Sequence, residues 1–323
     1  MNTFSRIGLA VLLAAGLSAH TGAQPVSTYS GSCDASAAVA LDAEHFVVGN
    51  DERNTLHVYR RGQAQAVGSL KLAKFLDTRA NEESDIEGAA AVGTRTYWIS
   101  SHGRDGKGNA QPARHRFFAT ETVTGSTPSL EPVGKPYVDL LRDMESTDAL
   151  KPYQLAAAAR LAPEADGGFN IEGLASAPDG GLLIGLRNPI PRGRALVIPL
   201  NNPGDLIKGS RARFGTPIEL DLGARGIRSI ERVGSSYLIV AGPPADRGSF
   251  ALYRWSGRAV DAPTPIGGVD LKGLRPEAVF AIPQSDRVQL LSDDGGVMID
   301  GLACKKLPEA RQTFRSLTIT LPP

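Results

Sequence analysis

Cysteine is nearly absent from this chain, with two in 323 residues. So few exclude a small scaffold stapled by many disulfides, and no CxxC spacing suggests a zinc site. A dominant charge is missing as well. Lys+Arg number 35 against 34 Asp+Glu, so there is no cationic excess to neutralise phosphates, and a general nucleic-acid partner is excluded. No apolar run approaches the roughly 20 residues that span a bilayer. There is also no GxSxG elbow, no GxxxxGK[ST] loop and no HExxH pair, which closes the short routes to three common enzyme classes.

The N-terminus carries a positive signal. Arg6 precedes a short apolar run, Ile7 to Leu17, and Thr21-Gly22-Ala23 supplies small residues before Gln24. This pattern predicts a secretory signal peptide over residues 1–23, leaving 24–323 as one domain in a periplasm or outside the cell, with no stable membrane insertion after cleavage. In that compartment thiols oxidise. Cys33 and Cys304 lie near the two ends of the mature chain, so a bond between them would tie the ends together. In the chain-entropy model such a loop stabilises by at most about 5 kcal/mol. Two buried free thiols are the alternative.

One phrase recurs along the chain: an apolar run, a turn rich in Gly or Asp, a second apolar run, then a polar cluster. Its copies are Asp85-Ile-Glu-Gly with Tyr97-Trp-Ile-Ser-Ser-His102, Asn170-Ile-Glu-Gly with Leu182 to Asn188, Ser229-Ile-Glu-Arg with Tyr237 to Gly242, and Arg275-Pro-Glu-Ala with Val288 to Asp294. A degenerate copy, Ala37 to Leu41 with His45 to Asp51, comes first. Each reads as a β-hairpin, and further strand-like runs such as Leu56-His-Val-Tyr59 and His115-Arg-Phe-Phe-Ala119 follow most of them. A four-stranded unit repeating at this spacing predicts an all-β fold, a β-propeller of five blades, with six as the alternative. Residues 136–165 read as a short helical insertion, and Leu317-Thr-Ile-Thr-Leu321 as a closing strand.

Residues two apart on a strand share a face. Hence Asp85 with Glu87, Asn170 with Glu172, Ser229 with Glu231 and Arg275 with Glu277 are expected to project together, converging four carboxylates on one channel. Burying like charges costs free energy unless a cation or guanidinium groups offset them. One reading is a Ca²⁺ site with oxygen ligands from Asp51, Glu87, Asn170, Glu172 and Asp293, beside Arg187, Asn188, Arg228, Arg275 and His102 as contacts for an anionic substrate. The other is a structural latch, in which each Glu bonds the next blade. No catalytic residue is identified. The Gly103-Arg-Asp-Gly-Lys-Gly-Asn109 stretch reads as a surface loop, and His57 and His115 as ordinary strand side chains.

At these residues the chain resembles a known family. Phe169-Asn-Ile-Glu-Gly-Leu-Ala, Ile184-Gly-Leu-Arg-Asn-Pro, Gly226-Ile-Arg-Ser-Ile-Glu and Ser84-Asp-Ile-Glu-Gly with Ser100-Ser-His are similar to the bacterial domain-of-unknown-function 3616 family, over nearly the whole mature chain. The Asp-Ile-Glu-Gly phrase is also similar to that of the esterase-like phytases, a family of secreted propellers. The first resemblance implies architecture and the second an ester or phosphoester substrate. The expectation is therefore a secreted or periplasmic propeller with a polar site at the channel mouth, a Ca²⁺-dependent hydrolase of phosphorylated or other anionic small molecules. The alternatives are a non-enzymatic propeller binding a ligand, protein or polysaccharide, and a metal-dependent lactonase.

Overall fold

The repeated phrase forms the two inner strands of five antiparallel four-stranded sheets. A computed structural model describes residues 26–50, 52–79, 82–245 and 248–321; the expected signal peptide over 1–23 and the candidate ligand Asp51 lie outside the described residues. Blade 1 holds Ala37–Ala40, His45–Asn50, Thr55–Arg60 and Ala66–Lys71. Blade 2 holds Ile86–Val92, Arg95–Ser100, Phe117–Val123 and Ser129–Tyr137. Blade 3 holds Asn170–Ser176, Leu182–Asn188, Ala195–Leu200 and Ile218–Leu220. Blade 4 holds Gly226–Val233, Ser236–Gly242, Ala251–Trp255 and Thr264–Ile266. Blade 5 takes Pro276–Ala281, Arg287–Ser292 and Thr313–Thr320 from the end of the chain and Val26–Ser30 from its beginning.

The closing strand is therefore Val26–Ser30, which pairs antiparallel with Thr313–Leu317. The run at 317–321 belongs instead to the third strand of blade 5, where Leu317 pairs with Leu290. Cys33 and Cys304 form a disulfide just after the closing strand, with Cα atoms 5.9 Å apart.

Five separate apolar cores fill the five junctions between blades. Tyr97, Phe117, Leu174 and Ile184 join blades 2 and 3, and Tyr29, Phe46, Tyr59, Phe280 and Phe314 join blades 5 and 1. The ring is complete because each sheet buries both faces against neighbours. This explains why Leu182–Asn188 is buried at all seven positions rather than alternating.

Antiparallel order sends every second-to-third loop and every blade-to-blade crossover to one face, called the top. The crossover from blade 2 to blade 3 carries helices Leu140–Ser146 and Leu155–Ala158, with a 3₁₀ turn over Asp148–Tyr153 between them. Pro136 and Tyr137 still belong to the preceding strand. Leu140, Met144, Leu150 and Leu155 bury into the core of blades 2 and 3. Buried Asp143 fastens the crossover, accepting from the Tyr137 hydroxyl, from Arg211 Nε at 2.8 Å and from the Ala212 amide at 2.9 Å.

Candidate functional site

Near the start of its inner strand each of blades 2 to 5 breaks register and skips one inner-strand residue, and blade 3 also skips Arg187 on its second strand. Ile86 pairs with Ser100 and Gly88 with Ile99, leaving Glu87 bulged. Glu172 is skipped between Ile171 and Gly173, Arg228 between Ile227 and Ser229, and Glu277 between Pro276 and Ala278. A bulge leaves its residue unpaired and re-aims the side chain. In blade 1 the matching place, just before Ala37 pairs with Gly49, is Ser36. The five positions are thus Ser36, Glu87, Glu172, Arg228 and Glu277.

This corrects the expected convergence of four glutamates. In blade 4 the bulge residue is Arg228, and Glu231 lies three positions further along the strand. Glu231 accepts the Ala281 amide at 3.4 Å and Ser229 Oγ accepts the Val279 amide at 3.1 Å, so both stitch blade 4 to blade 5. Burial pushes the Glu231 carboxyl up to about 7, against the pull of its backbone hydrogen bonds.

The bulge residues form a chain of ion pairs across blades. Glu172 Oε1 accepts from Arg187 Nη1 at 2.9 Å and from Asn170 Nδ2 at 3.1 Å. Its Oε2 pairs with Arg228 Nε at 2.9 Å. Arg228 in turn pairs through Nη2 with Glu277, which accepts from Ser36 Oγ at 3.3 Å. The chain runs from blade 3 through 4 and 5 to blade 1. Glu87 lies near enough for its charge to act on both Arg187 and Arg228. Burial works against the charge on Arg187, yet Glu172 and then Glu164 hold that guanidinium more firmly protonated than usual. Arginines offset the carboxylates, which is the latch arrangement; removing one partner of such a pair would leave a buried charge exposed to low dielectric.

The other expected site residues scatter. Asn188 Nδ2 donates to the carbonyls of Pro163 at 2.9 Å and Ala165 at 2.7 Å, tethering the helical crossover. Arg275 is exposed and stands beside Gly296, off the ring. Half-buried Asp293 accepts the Gly295 amide at 2.8 Å. Among the described residues no three His, Cys, Asp or Glu side chains come together as a metal ion needs.

Blade 2 differs from its neighbours at the mouth. Asp85 and His102 flank the bulge and the second-strand end in left-handed backbone, each with φ 55°, a conformation that costs free energy in residues with a Cβ and concentrates at functional sites. Ser101 Oγ donates to Asp85, and Arg114 Nη1 reaches Asp85 at 2.9 Å. Burial lifts the Asp85 carboxyl to about 6 and the Glu172 charge adds to it; the Ser101 hydroxyl, Arg187 and Lys305 act the other way. His102 Nδ1 contacts the Ser100 carbonyl at 2.8 Å. A carbonyl only accepts, so the ring proton sits on Nδ1 and Nε2 keeps its lone pair. Burial, followed by the charges of His115 and Arg116, pushes His102 down to about 3, so the ring stays neutral. His102 Nε2, Ser100 Oγ and Asn170 Oδ1 are all buried without a hydrogen-bond partner. Such groups are rare in native interiors and call for an explanation.

A cavity of about 600 Å³ opens beside His102, between the blade 2 loop 103–116 and the helical crossover. Its walls include the guanidinium side chains of Arg104, Arg116 and Arg160, the carboxylate of Glu145, and the apolar side chains of Val138, Leu141 and Ala156. Arg104 Nε donates to the Ala159 carbonyl at 2.9 Å and Arg116 Nε to the Leu76 carbonyl at 2.9 Å. Carbonyls satisfy the donors without cancelling the charge. The loop is self-supporting, since Asp105 accepts from the Lys107 and Asn109 amides and from Gln111 Nε2. His115 precedes its strand, which starts at Phe117, and stacks at 40° against His102 with ring centroids 5.4 Å apart. Reading it as a strand side chain hid its place in this cavity.

The molecule is thus a five-bladed propeller, closed by its first strand and a disulfide, latched by charges at the ring and carrying a cationic cavity on blade 2. The chain belongs to the family described as "Protein of unknown function (DUF3616)", whose model matches residues 34–120 and 137–290. No protein of curated function matches it in sequence. Among solved structures it is similar to a glutaminyl cyclase from Myxococcus xanthus, with 13% identity, 92% of this chain and 96% of that one covered, and a TM-score of 0.46. It is also similar to a putative oxidoreductase (glucose dehydrogenase) from Thermus thermophilus, with 13% identity, coverage of 92% and 100%, and a TM-score of 0.47. A PQQ-bound aldose sugar dehydrogenase from Streptomyces coelicolor matches at 11% identity, coverage of 92% and 100%, and a TM-score of 0.43.

Proposed function

We propose that the protein is an extracytoplasmic propeller that binds an anionic small molecule on its top face, in the cavity between the 103–116 loop and the helical crossover of blade 2. The observation that carries this reading is the lining: three guanidiniums, none in an ion pair among the described residues, against one carboxylate, Glu145, beside apolar side chains and a buried His102. A net positive charge in a concave, partly apolar site favours an anion. The disulfide and the leader support the compartment. Titration calorimetry with phosphate esters and carboxylates against their neutral counterparts tests the reading. Anions should bind and the charge reversal Arg160→Glu should abolish the heat; equal binding of the neutral compounds, or no effect of the reversal, would refute it.

The ring supports a second reading. Burial raises Glu52 above the usual carboxyl range, with the Asp293 charge adding to the effect against Lys305 and Arg53. A divalent cation would relieve this charge, and oxygen donors suit Ca²⁺. Under that reading the protein is a Ca²⁺-dependent hydrolase of phosphorylated or other anionic small molecules. A melting temperature unmoved by Ca²⁺ or chelator rejects it.

A further inference from the structure

The cavity narrows the ligand further than its charge. This step rests on the binding reading above and names the chemical class. Three features of the lining are independent. The guanidiniums of Arg104, Arg116 and Arg160 provide positive charge; of these the Arg160 side chain is exposed and makes no hydrogen bond or ion pair among the described residues. Val138, Leu141 and Ala156 provide a surface that gains only from covering by carbon. The lining also includes His102, 1% exposed, with Nδ1 committed to the Ser100 carbonyl and Nε2 left as an acceptor without a donor among the described residues.

An acceptor of this kind discriminates strongly. Buried and unpaired, it gains a full hydrogen bond from a ligand that brings an O–H and nothing from one that lacks it. A fully ionised phosphate-ester group or a bare carboxylate brings only acceptors and leaves Nε2 as it is. The anion and the donor must therefore reside on one molecule, joined by an apolar body that lies on the Val138 and Leu141 wall. We infer that the cavity takes a hydroxylated carboxylic acid, its carboxylate toward Arg160 and Arg104, its hydroxyl donating to His102 Nε2. The His115 ring packs beside His102 and also lines the cavity. At about 600 Å³ the space suits a single-ring or short-chain molecule.

The test uses the mature chain and calorimetry with 4-hydroxyphenylacetate as the probe, beside phenylacetate, which lacks the hydroxyl, and 2-(4-hydroxyphenyl)ethanol, which lacks the carboxylate. The probe should bind, and each analogue should bind about tenfold or more weakly, the effect of one charged or buried hydrogen bond. Arg160→Ala should weaken the probe by a similar factor. Ala156→Trp, at an exposed position on the apolar wall, should fill the cavity and abolish binding with an unchanged melt. If the alcohol or phenylacetate binds as tightly as the probe, or none of the three binds, the assignment of class is wrong. Should a phosphate ester such as glucose 6-phosphate then bind and be lost in Ala156→Trp, the cavity stands as an anion site with a different ligand. Binding of the probe that survives Ala156→Trp would overturn the cavity itself.

Discussion

Two glutamates in the same Ile-Glu phrase should respond in opposite ways to one substitution. Glu172 accepts hydrogen bonds from Arg187 and Asn170 and pairs with Arg228, all buried. Glu172→Gln keeps the shape but removes the charge that offsets two guanidiniums. Breaking a buried pair costs about 3–5 kcal/mol. Arg187 keeps Glu164 and Arg228 keeps Glu277, which places the loss near the lower end, about 3 kcal/mol. With an unfolding entropy of about 2.1 cal/mol/K per residue, a chain of this size loses roughly 5 °C. Glu231→Gln should behave differently. Its carboxyl is raised from 4.5 to about 7, so between those values the folded protein holds a proton that the unfolded chain releases, and stability falls as pH rises through that window. The full effect is at most about 3 kcal/mol, reduced because part of the side chain reaches solvent. Gln imitates the protonated acid, so Glu231→Gln should be near neutral at pH 5 and stabilising at pH 8. Thermal melts by circular dichroism at both pH values decide. A Glu172→Gln melt within 1 °C of wild type, or a Glu231→Gln variant that loses more than Glu172→Gln at pH 8, would refute the assignment of ring positions.

Gly226→Ala should fail at the junction of blades 3 and 4. The added Cβ would lie 1.9 Å from the Arg187 carbonyl oxygen, and backbone cannot yield as a side chain does; a loss of about 3 kcal/mol, seen as a melt lowered by roughly 5 °C, is expected. Reducing the Cys33–Cys304 bond should lower the melt by several degrees, up to the about 5 kcal/mol of loop entropy, and thiol titration of the native protein should find none; an unchanged melt would show that strand pairing alone holds the ring. Deleting 26–30 should leave Thr313–Thr320 as an open edge, giving a broad melt and concentration-dependent association by light scattering.

The propeller was legible because its signal is repetition, and a hairpin phrase survives substitution at most positions. The charge ring was legible in three blades and misread in the fourth. Matching Ser229-Ile-Glu231 to Asn170-Ile-Glu172 is natural on residue identity, yet a bulge is a register event that identity does not record. Counting back from the turn would have located it: Glu87 and Arg228 each lie six positions before a left-handed turn glycine, Gly93 and Gly234. The closing strand Val-Ser-Thr-Tyr-Ser escaped notice because an outermost strand is exposed at three of its five positions and so lacks an apolar pattern. The cavity could not be read from sequence at all. It depends on where a loop from blade 2 meets the crossover that leaves the same blade, and only His102 signalled it.

The aromatic junction between blades 5 and 1 has a consequence for the order of events in folding. Tyr29 packs against Phe46 at 5.1 Å and Phe314 at 5.4 Å, which joins residues from opposite ends of the chain. Blades 2, 3 and 4 are local in sequence and can form as they emerge. The seam cannot form until residue 314 is available, so the first strand waits, unpaired, for nearly the whole length of synthesis or transport. Long-range pairing of this kind is slow and leaves an edge exposed meanwhile. The strand that waits, Val26–Ser30, has Ser or Thr at three of its five positions. Its polarity is what a segment needs if it is to stay soluble alone and become ordered last.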